Sequence, residues 1–148
     1  MNIVSRSVYV GPNVYAKAPL IRLTVDVNPQ DAEALRTRGS AVREALSAVV
    51  PGFDRDGSAG VGELLAHLAL HLQRIAGQDG DLAWSLPAAE RDEVKVLYSF
   101  DSEEIGLEAG EVACDLLVAV ARARDGEAPD LQEDVARFLR FANKRSLG

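Results

Sequence analysis

GVGELLAHLALHLQRIAG, residues 60–77, is the stretch around which the rest of the chain is organised. Its apolar residues recur at i, i+3, i+4, i+7, i+11 and i+14, which is the period of one helix face. These residues are Val61, Leu64, Leu65, Leu68, Leu72 and Ile75. Leu70 lies on the opposite side, which indicates that the helix is covered on two sides. Gly77 is a natural end for this central helix.

The same helix carries the only two histidines of the chain, His67 and His71, with Glu63 four residues before the first. In a helix each step of four residues turns by about 40°, so the three side chains share one face. Two imidazoles and a carboxylate can hold a divalent metal, with Glu104 or Glu108 of the next helix as a fourth ligand. The alternative is a polar edge on a buried helix, with His71 neutral and hydrogen-bonded, and this alternative is favoured.

Alternating apolar and polar residues predict four strands, two before the central helix and two after it. The predicted strands are Ile3–Val10, Leu20–Val27, Leu82–Leu86 and Glu93–Phe100, and a polar loop at Pro87–Asp92 joins the last two. In the first strand Val4, Val8 and Val10 share one side.

Further helices are predicted from Ser40 to Pro51, from Ser102 onward and after Pro129, while residues 31–38 fit either a short helix or a loop. Ser40 and Ser102 are suitable N-caps, and Pro129 suits the first turn of the last helix. Within the helix after Ser102, Gly106 and Gly110 cost helix propensity, which predicts close packing against the sheet or another helix.

The predicted fold class is therefore α+β, a single domain over residues 1–148. Short connections between neighbouring strands favour a small antiparallel sheet of about four strands, with helices packed on one face. The predicted order is ββααββαα.

The charge of the chain is unevenly distributed. Its net charge is −7, but residues 90–134 carry −10 and the remainder +3. This acidic segment argues against nucleic-acid binding and suits either a cationic partner or a solvated surface. There is no membrane-spanning run and no signal core, and the lone Cys114 fits a buried inert thiol, so a cytoplasmic location is the default expectation.

Three segments together resemble the N-terminal domain of cyanophycin synthetases. VYVGPNVYAKAPLIRLTVDV, residues 8–27, is similar to that family's opening "R-G-P-N-x-[WY]" segment and the strand after it. The central helix with its HLALHLQ run is the second segment, and EEIGLEAG, residues 103–110, is the third. The final FANKRSLG resembles the passage into an ATP-grasp domain, so residues 143–148 are expected to begin a linker to that missing domain.

The resemblance implies the N-terminal polymer-binding and assembly domain of an ATP-dependent ligase that makes an Asp-Arg polymer. Such a domain holds an arginine-rich polymer, contacts the ligase domains of its own chain and forms a homo-oligomer. It needs no cofactor of its own, while ATP and Mg²⁺ belong to the parent ligase. An acidic surface is consistent with this expectation, because carboxylates accept paired guanidinium hydrogen bonds.

Some members of that family carry a metallopeptidase site on the same helix, with the pattern HxxEH. The matching residues here are Glu63, Ala66 and His67, so alanine stands in the position of the general base. Alanine cannot accept a proton, so no catalytic residue is predicted.

Two alternatives to the polymer-binding domain remain open. A metal-dependent peptidase that trims the polymer would use zinc at Glu63, His67 and His71. A stand-alone interaction module would dimerise through a helix face such as that of Leu70 or Phe141.

Overall fold

One antiparallel sheet of four strands forms the base of the fold. The computed structural model describes residues 1–87 and 92–147. The strands are β1 (Asn2–Tyr9), β2 (Leu20–Asp26), β3 (Ala83–Leu86) and β4 (Glu93–Ser99), in the spatial order β1-β2-β4-β3. The predicted α+β class with a small antiparallel sheet is confirmed. Part of the loop predicted at Pro87–Asp92, residues 88–91, lies outside the described residues.

Five α-helices accompany the strands in the described chain. They are α1 (Pro29–Arg38), α2 (Ser40–Ser47), α3 (Val61–Ile75), α4 (Glu103–Arg122) and α5 (Gln132–Leu147), with a 3₁₀ turn at Gly57–Ala59. Residues 31–38, which fit a helix or a loop in the sequence, are helical, because the Asn28 side chain caps the Gln30 amide at 2.8 Å and Pro29 opens the first turn. Three helices therefore separate the two strand pairs. Residues 143–147, which were expected to begin a linker, continue α5.

The helices pack on the sheet face that carries the alternating apolar residues. Ile21, Leu23 and Val25 of β2 lie opposite Tyr98, Val96 and Val94 of β4. α3 packs against β3 and β4, and α4 packs against β2 and α3. The central helix is predicted correctly, and Leu70 on its second side is buried as expected. The core therefore lies between one sheet face and the pair α3 and α4.

Glycines allow α4 to approach the sheet closely. A Cβ on Gly106 would lie 2.6 Å from Ile21 Cδ1, and one on Gly110 would lie 2.6 Å from both Leu23 Cδ1 and Tyr98 Oη. The Tyr98 hydroxyl also donates to the Gly106 carbonyl at 2.7 Å. Close packing was predicted for both glycines and is confirmed. Ser102 caps the same helix by accepting from the Ile105 amide at 3.3 Å, also as predicted.

An ion pair connects α1 to the end of α4. Asp31 is 5% exposed, and its two carboxylate oxygens accept from Arg122 Nε at 3.2 Å and Arg122 Nη2 at 3.1 Å. Both donors belong to one planar guanidinium. The contact therefore fixes the orientation of Arg122 relative to Asp31 as well as the distance between them. α1 is thereby held against the α4 end of the core.

Two helix starts differ from the prediction. Ser40 is the first residue of α2 and not its N-cap, since Gly39 takes that place with φ +54° and no side chain caps the helix. A glycine accommodates the left-handed backbone that joins α1 to α2 without a linker. Pro129 likewise precedes α5, which begins at Gln132. The Gln132 amide donates to Asp130 Oδ1 at 3.3 Å.

The prediction that Val4, Val8 and Val10 share one side of the first strand is also partly wrong. The pairing of β1 with β2 shifts register between Ile3 and Ser5, so Val4 is extruded and 48% exposed. Ile3 and Val8 pack against the core in its place. Val10 lies beyond the strand and is 76% exposed. A bulge of this kind is not visible in the alternation of residue types.

In the described parts of the chain, no helix has both the length and the apolar character needed to cross a membrane.

Candidate functional site

The polar face of α3 begins with a Glu63–His67 pair. His67 Nε2 lies 3.1 Å from Glu63 Oε2, four residues away on the same helix. The other oxygen, Glu63 Oε1, lies 3.4 Å from both the amide nitrogen and the hydroxyl of Ser85 in β3. The contact requires α3 to lie against β3, and Gly62 permits it, because a Cβ there would be 2.7 Å from Ser85 Cβ. Glu63 thus connects the histidine to an edge strand of the sheet.

His71, one turn further along, has an apolar neighbour. Its ring packs edge-to-face on Phe53, with 5.9 Å between the ring centroids, and Gly52 lies beside Nδ1. Phe53 is itself buried in the core. The segment between α2 and α3 therefore covers this part of the helix. His71 is packed at the edge of the core.

Both histidines favour the neutral form. Burial lowers the pKa of His67, and the nearby charge of Arg55 lowers it further, against an opposing contribution from Glu63. Burial also lowers the pKa of His71, followed by the charge of Arg74. Neutral imidazoles can accept a hydrogen bond or bind a metal, so the electrostatics alone permit either role.

The arrangement of the carboxylates does not fit a metal site. Glu63 already contacts His67 and Ser85 through its two carboxylate oxygens. Glu104 Oε2 of α4 lies 3.0 Å from Arg145 Nε of α5. Glu108 is half-buried on α4. Over residues 1–87 and 92–147, no three or more His, Cys, Asp or Glu side chains are grouped so that they could hold a metal ion. The structure brings Glu63 and His67 together but gathers neither His71, Glu104 nor Glu108 with them into a ligand set.

Ala66, at the position of the general base in the resembling family, lies in the core. Its side chain is 0% exposed. A carboxylate at this position would be removed from water without an evident partner, which is costly. The helix face therefore offers no group that could activate a water molecule at this position.

Asn13 organises the loop of the family-like G-P-N segment, a role that the sequence analysis missed. Its Oδ1 accepts from the amides of Tyr15 and Ala16 at 2.9 and 3.0 Å, and its Nδ2 donates to the Ala18 carbonyl at 3.0 Å. Asparagine after Gly-Pro is a common turn signal, so this role could have been inferred. The loop then holds Tyr15 against Tyr9, with ring centroids 5.3 Å apart.

Much of the acidic segment is neutralised within the fold. The acids of α4 and α5 that pair with arginines are Glu104 with Arg145, Glu111 with Arg6, Asp115 and Asp134 with Arg137, and Glu133 with Arg140. Glu103, Glu127 and Asp130 have no lysine or arginine partner among the described residues. The charge available to a partner is therefore smaller than the sequence suggests and is restricted to particular surfaces.

Cys114 is buried, and burial raises the pKa of its thiol to about 12. The predicted burial of Cys114 is confirmed, and a thiol with a raised pKa is protonated at neutral pH.

Comparison of the sequence with models of known protein families gives no match, and no curated protein matches it either. The geometry of the chain and its three family-like segments are therefore the basis for assigning a function.

Proposed function

We propose that this chain is a non-catalytic polymer-binding and assembly domain of a cyanophycin-synthetase-like, ATP-dependent ligase. In this proposal it holds an arginine-rich Asp-Arg polymer in the cytoplasm, contacts ligase domains and forms a homo-oligomer. It has no cofactor, while ATP and Mg²⁺ act in the ligase domains. It binds neither nucleic acid nor membrane.

The main support for a non-catalytic role is the buried Ala66. A peptidase of the HxxEH type needs a carboxylate there to accept a proton from water. The fold instead places a methyl group in the core at this position and commits Glu63 to His67 and Ser85.

The packing of the family-like segments supports the proposed family. Gly106 and Gly110 of the EEIGLEAG segment lie against Ile21, Leu23 and Tyr98. Close packing on the sheet therefore explains the two glycines of this segment. Residues of the G-P-N segment continue into β2, the strand on which α4 packs. The three segments thus meet around one sheet, as parts of a common domain would.

Calorimetric titration of the chain with an Asp-Arg polymer tests the proposal. We expect saturable binding that weakens with added salt, because exposed charge pairs are screened. Polyaspartate of equal length is the control, and it lacks the guanidinium groups. Equal or absent binding of both polymers would contradict the proposal.

A metal-dependent peptidase is the competing function, and the Glu63–His67 contact is the observation in its favour. Elemental analysis after dialysis distinguishes the two functions. We expect no stoichiometric metal and no polymer shortening on addition of zinc.

A further inference from the structure

The strand β3 lies at one edge of the sheet, and β4 is its strand neighbour in the described chain. An edge strand presents unpaired N–H and C=O groups, to which a strand of another molecule can add. The ladder between β3 and β4 determines which groups of β3 point outward.

The outward-pointing amide in the second half of β3 belongs to Ser85. The Ser99 amide of β4 donates to the Leu82 carbonyl at 2.9 Å, so this facing pair is a hydrogen-bonded one. Facing pairs of an antiparallel ladder alternate between hydrogen-bonded and non-hydrogen-bonded. Ser85 faces Val96 and lies three positions beyond Leu82, so its N–H and C=O point away from β4.

Glu63 reaches this outward amide from the helix layer. Its Oε1 accepts from the Ser85 amide and from the Ser85 hydroxyl, each at 3.4 Å. An added strand would run about 4.8 Å from β3 and place a carbonyl oxygen about 2.9 Å from the same amide nitrogen. The Glu63 carboxylate therefore lies close to the place that the acceptor of an added strand would take.

Two further contacts hold the carboxylate there. Gly62 lets α3 lie directly on β3, because a Cβ at this position would be 2.7 Å from Ser85 Cβ. His67 Nε2 lies 3.1 Å from Glu63 Oε2, the oxygen that does not contact Ser85. An imidazole N–H at Nε2 donates to that oxygen. Both carboxylate oxygens therefore have partners, which fixes the orientation of the Glu63 side chain.

Strand addition at β3 would be unfavourable while Glu63 holds this position. The Glu63 side chain is 36% exposed, and an added strand would cover it. The carboxylate would lose water and would face the carbonyl groups of the new strand instead of a cation. Charged side chains at a sheet edge are a known means by which proteins prevent strand addition.

We propose that Glu63 closes the β3 edge of the sheet to strand addition, with His67 as its positioning residue. The contact with Ser85 is autoinhibitory, because it keeps β3 from pairing with a strand of another molecule. This role is independent of the proposed function, since it concerns the sheet edge and involves no polymer. It also accounts for the Glu63–His67 pair without a metal.

Amide hydrogen exchange of Ser85, followed by NMR in dilute samples of the full chain, tests the contact. Glu63→Ala should make the Ser85 amide exchange at least about fivefold faster, because the amide loses its acceptor. Glu63→Gln keeps an acceptor oxygen and should remain within about twofold of the wild type. Glu44→Ala removes an equal charge from an exposed position of α2 and should leave the Ser85 exchange rate unchanged.

Sedimentation velocity over a range of protein concentrations tests the closure of the edge. Glu63→Ala should form species larger than those of the wild type, in proportions that increase with concentration. Glu63→Lys also removes the acceptor, so Ser85 should exchange faster, but a lysine at a sheet edge still opposes strand addition. This variant should therefore form no larger species. Circular dichroism verifies that the variants fold, and alanine at a partly exposed helix position favours this.

The outcomes decide the two parts of the proposal separately. An unchanged Ser85 exchange rate in both Glu63→Ala and Glu63→Lys would overturn the contact. Faster exchange in Glu63→Ala without larger species would overturn the closure of the edge. Faster exchange in both variants, with larger species in Glu63→Ala alone, would support the proposal. Neither measurement involves the polymer, so the proposed function is tested separately.

Discussion

The two faces of the helix pair α3 and α4 differ in how strictly the fold constrains them. Where α4 meets the sheet, Gly106 and Gly110 leave no room for a side chain, and the Tyr98 hydroxyl bonds the Gly106 carbonyl. On the polar face of α3, His67 and His71 are half-buried and contact a carboxylate and an aromatic ring. The first interface is determined by packing, whereas the second tolerates polar groups without assembling them into a reactive set. Motif residues therefore need not be catalytic residues.

Restoring a carboxylate at the base position should have the largest effect. Ala66→Glu places an ionisable group in a fully buried position, and we expect a loss of about 3–5 kcal/mol in the free energy of unfolding, measured by urea denaturation. Ala41→Glu on the exposed side of α2 is the control and should change stability by less than about 0.5 kcal/mol. A well-folded Ala66→Glu variant that cleaves polymer with zinc would show that the α3 face keeps a working site.

A side chain at Gly110 should be nearly as damaging. Gly110→Leu forces α4 away from Leu23 and the rigid Tyr98 ring, which we expect to cost about 3 kcal/mol. Gly106→Ala should cost less, because its nearest atom, Ile21 Cδ1, ends a flexible side chain and because alanine gains about 1 kcal/mol of helix propensity. Equal unfolding midpoints for wild type and Gly110→Leu would refute the close packing.

Removal of the Tyr98 hydroxyl tests the same interface with a smaller structural change. Tyr98→Phe deletes the donor to the Gly106 carbonyl, for an expected loss of about 1 kcal/mol. Tyr9→Phe, at a half-buried tyrosine in β1, provides the comparison and should change the unfolding midpoint little. Equal effects of the two substitutions would mean that the buried hydrogen bond adds no stability.

The histidine face should show a small dependence on pH. The pKa of each histidine is lowered in the folded chain, so the unfolded chain binds more protons as the pH falls below about 6.5. The histidine contribution to stability is therefore complete above that pH and is lost as the pH decreases through the folded-state pKa. Denaturation at pH 7.5 and pH 5 should show this loss, and His67→Gln with His71→Gln should reduce it. If the double variant lost as much stability between pH 7.5 and pH 5 as the wild type, other groups would be responsible for the pH dependence.

Periodicity predicted most of the fold, because alternation and helical spacing report directly on burial. The central helix, the strands around it, the Ser102 cap and the tight glycines all follow from local residue patterns. The bulge at Val4 does not, since it depends on the pairing of β1 with β2. The late start of α5 was missed for a different reason, because Asp130 and not Pro129 supplies the local cap, by accepting from the Gln132 amide. The short helix α1 was ambiguous because its only strong local signals are Asn28 and Pro29 at its start.

The candidate site was less predictable than the fold. Spacing placed Glu63, His67 and His71 on one face, but only tertiary contacts reveal that Ser85 engages Glu63 and that Phe53 covers His71. The depression between α2, the end of α4 and the segment leading into α5 could not be predicted for the same reason, since residues distant in sequence form its walls.

The central claim is that this domain binds an Asp-Arg polymer without cutting it. The most direct measurement incubates the chain with polymer of defined length, with and without zinc, and follows co-sedimentation and polymer length in the same sample. The account predicts bound polymer of unchanged length in both conditions. Zinc-dependent shortening, or polymer that does not sediment with the chain, would contradict it.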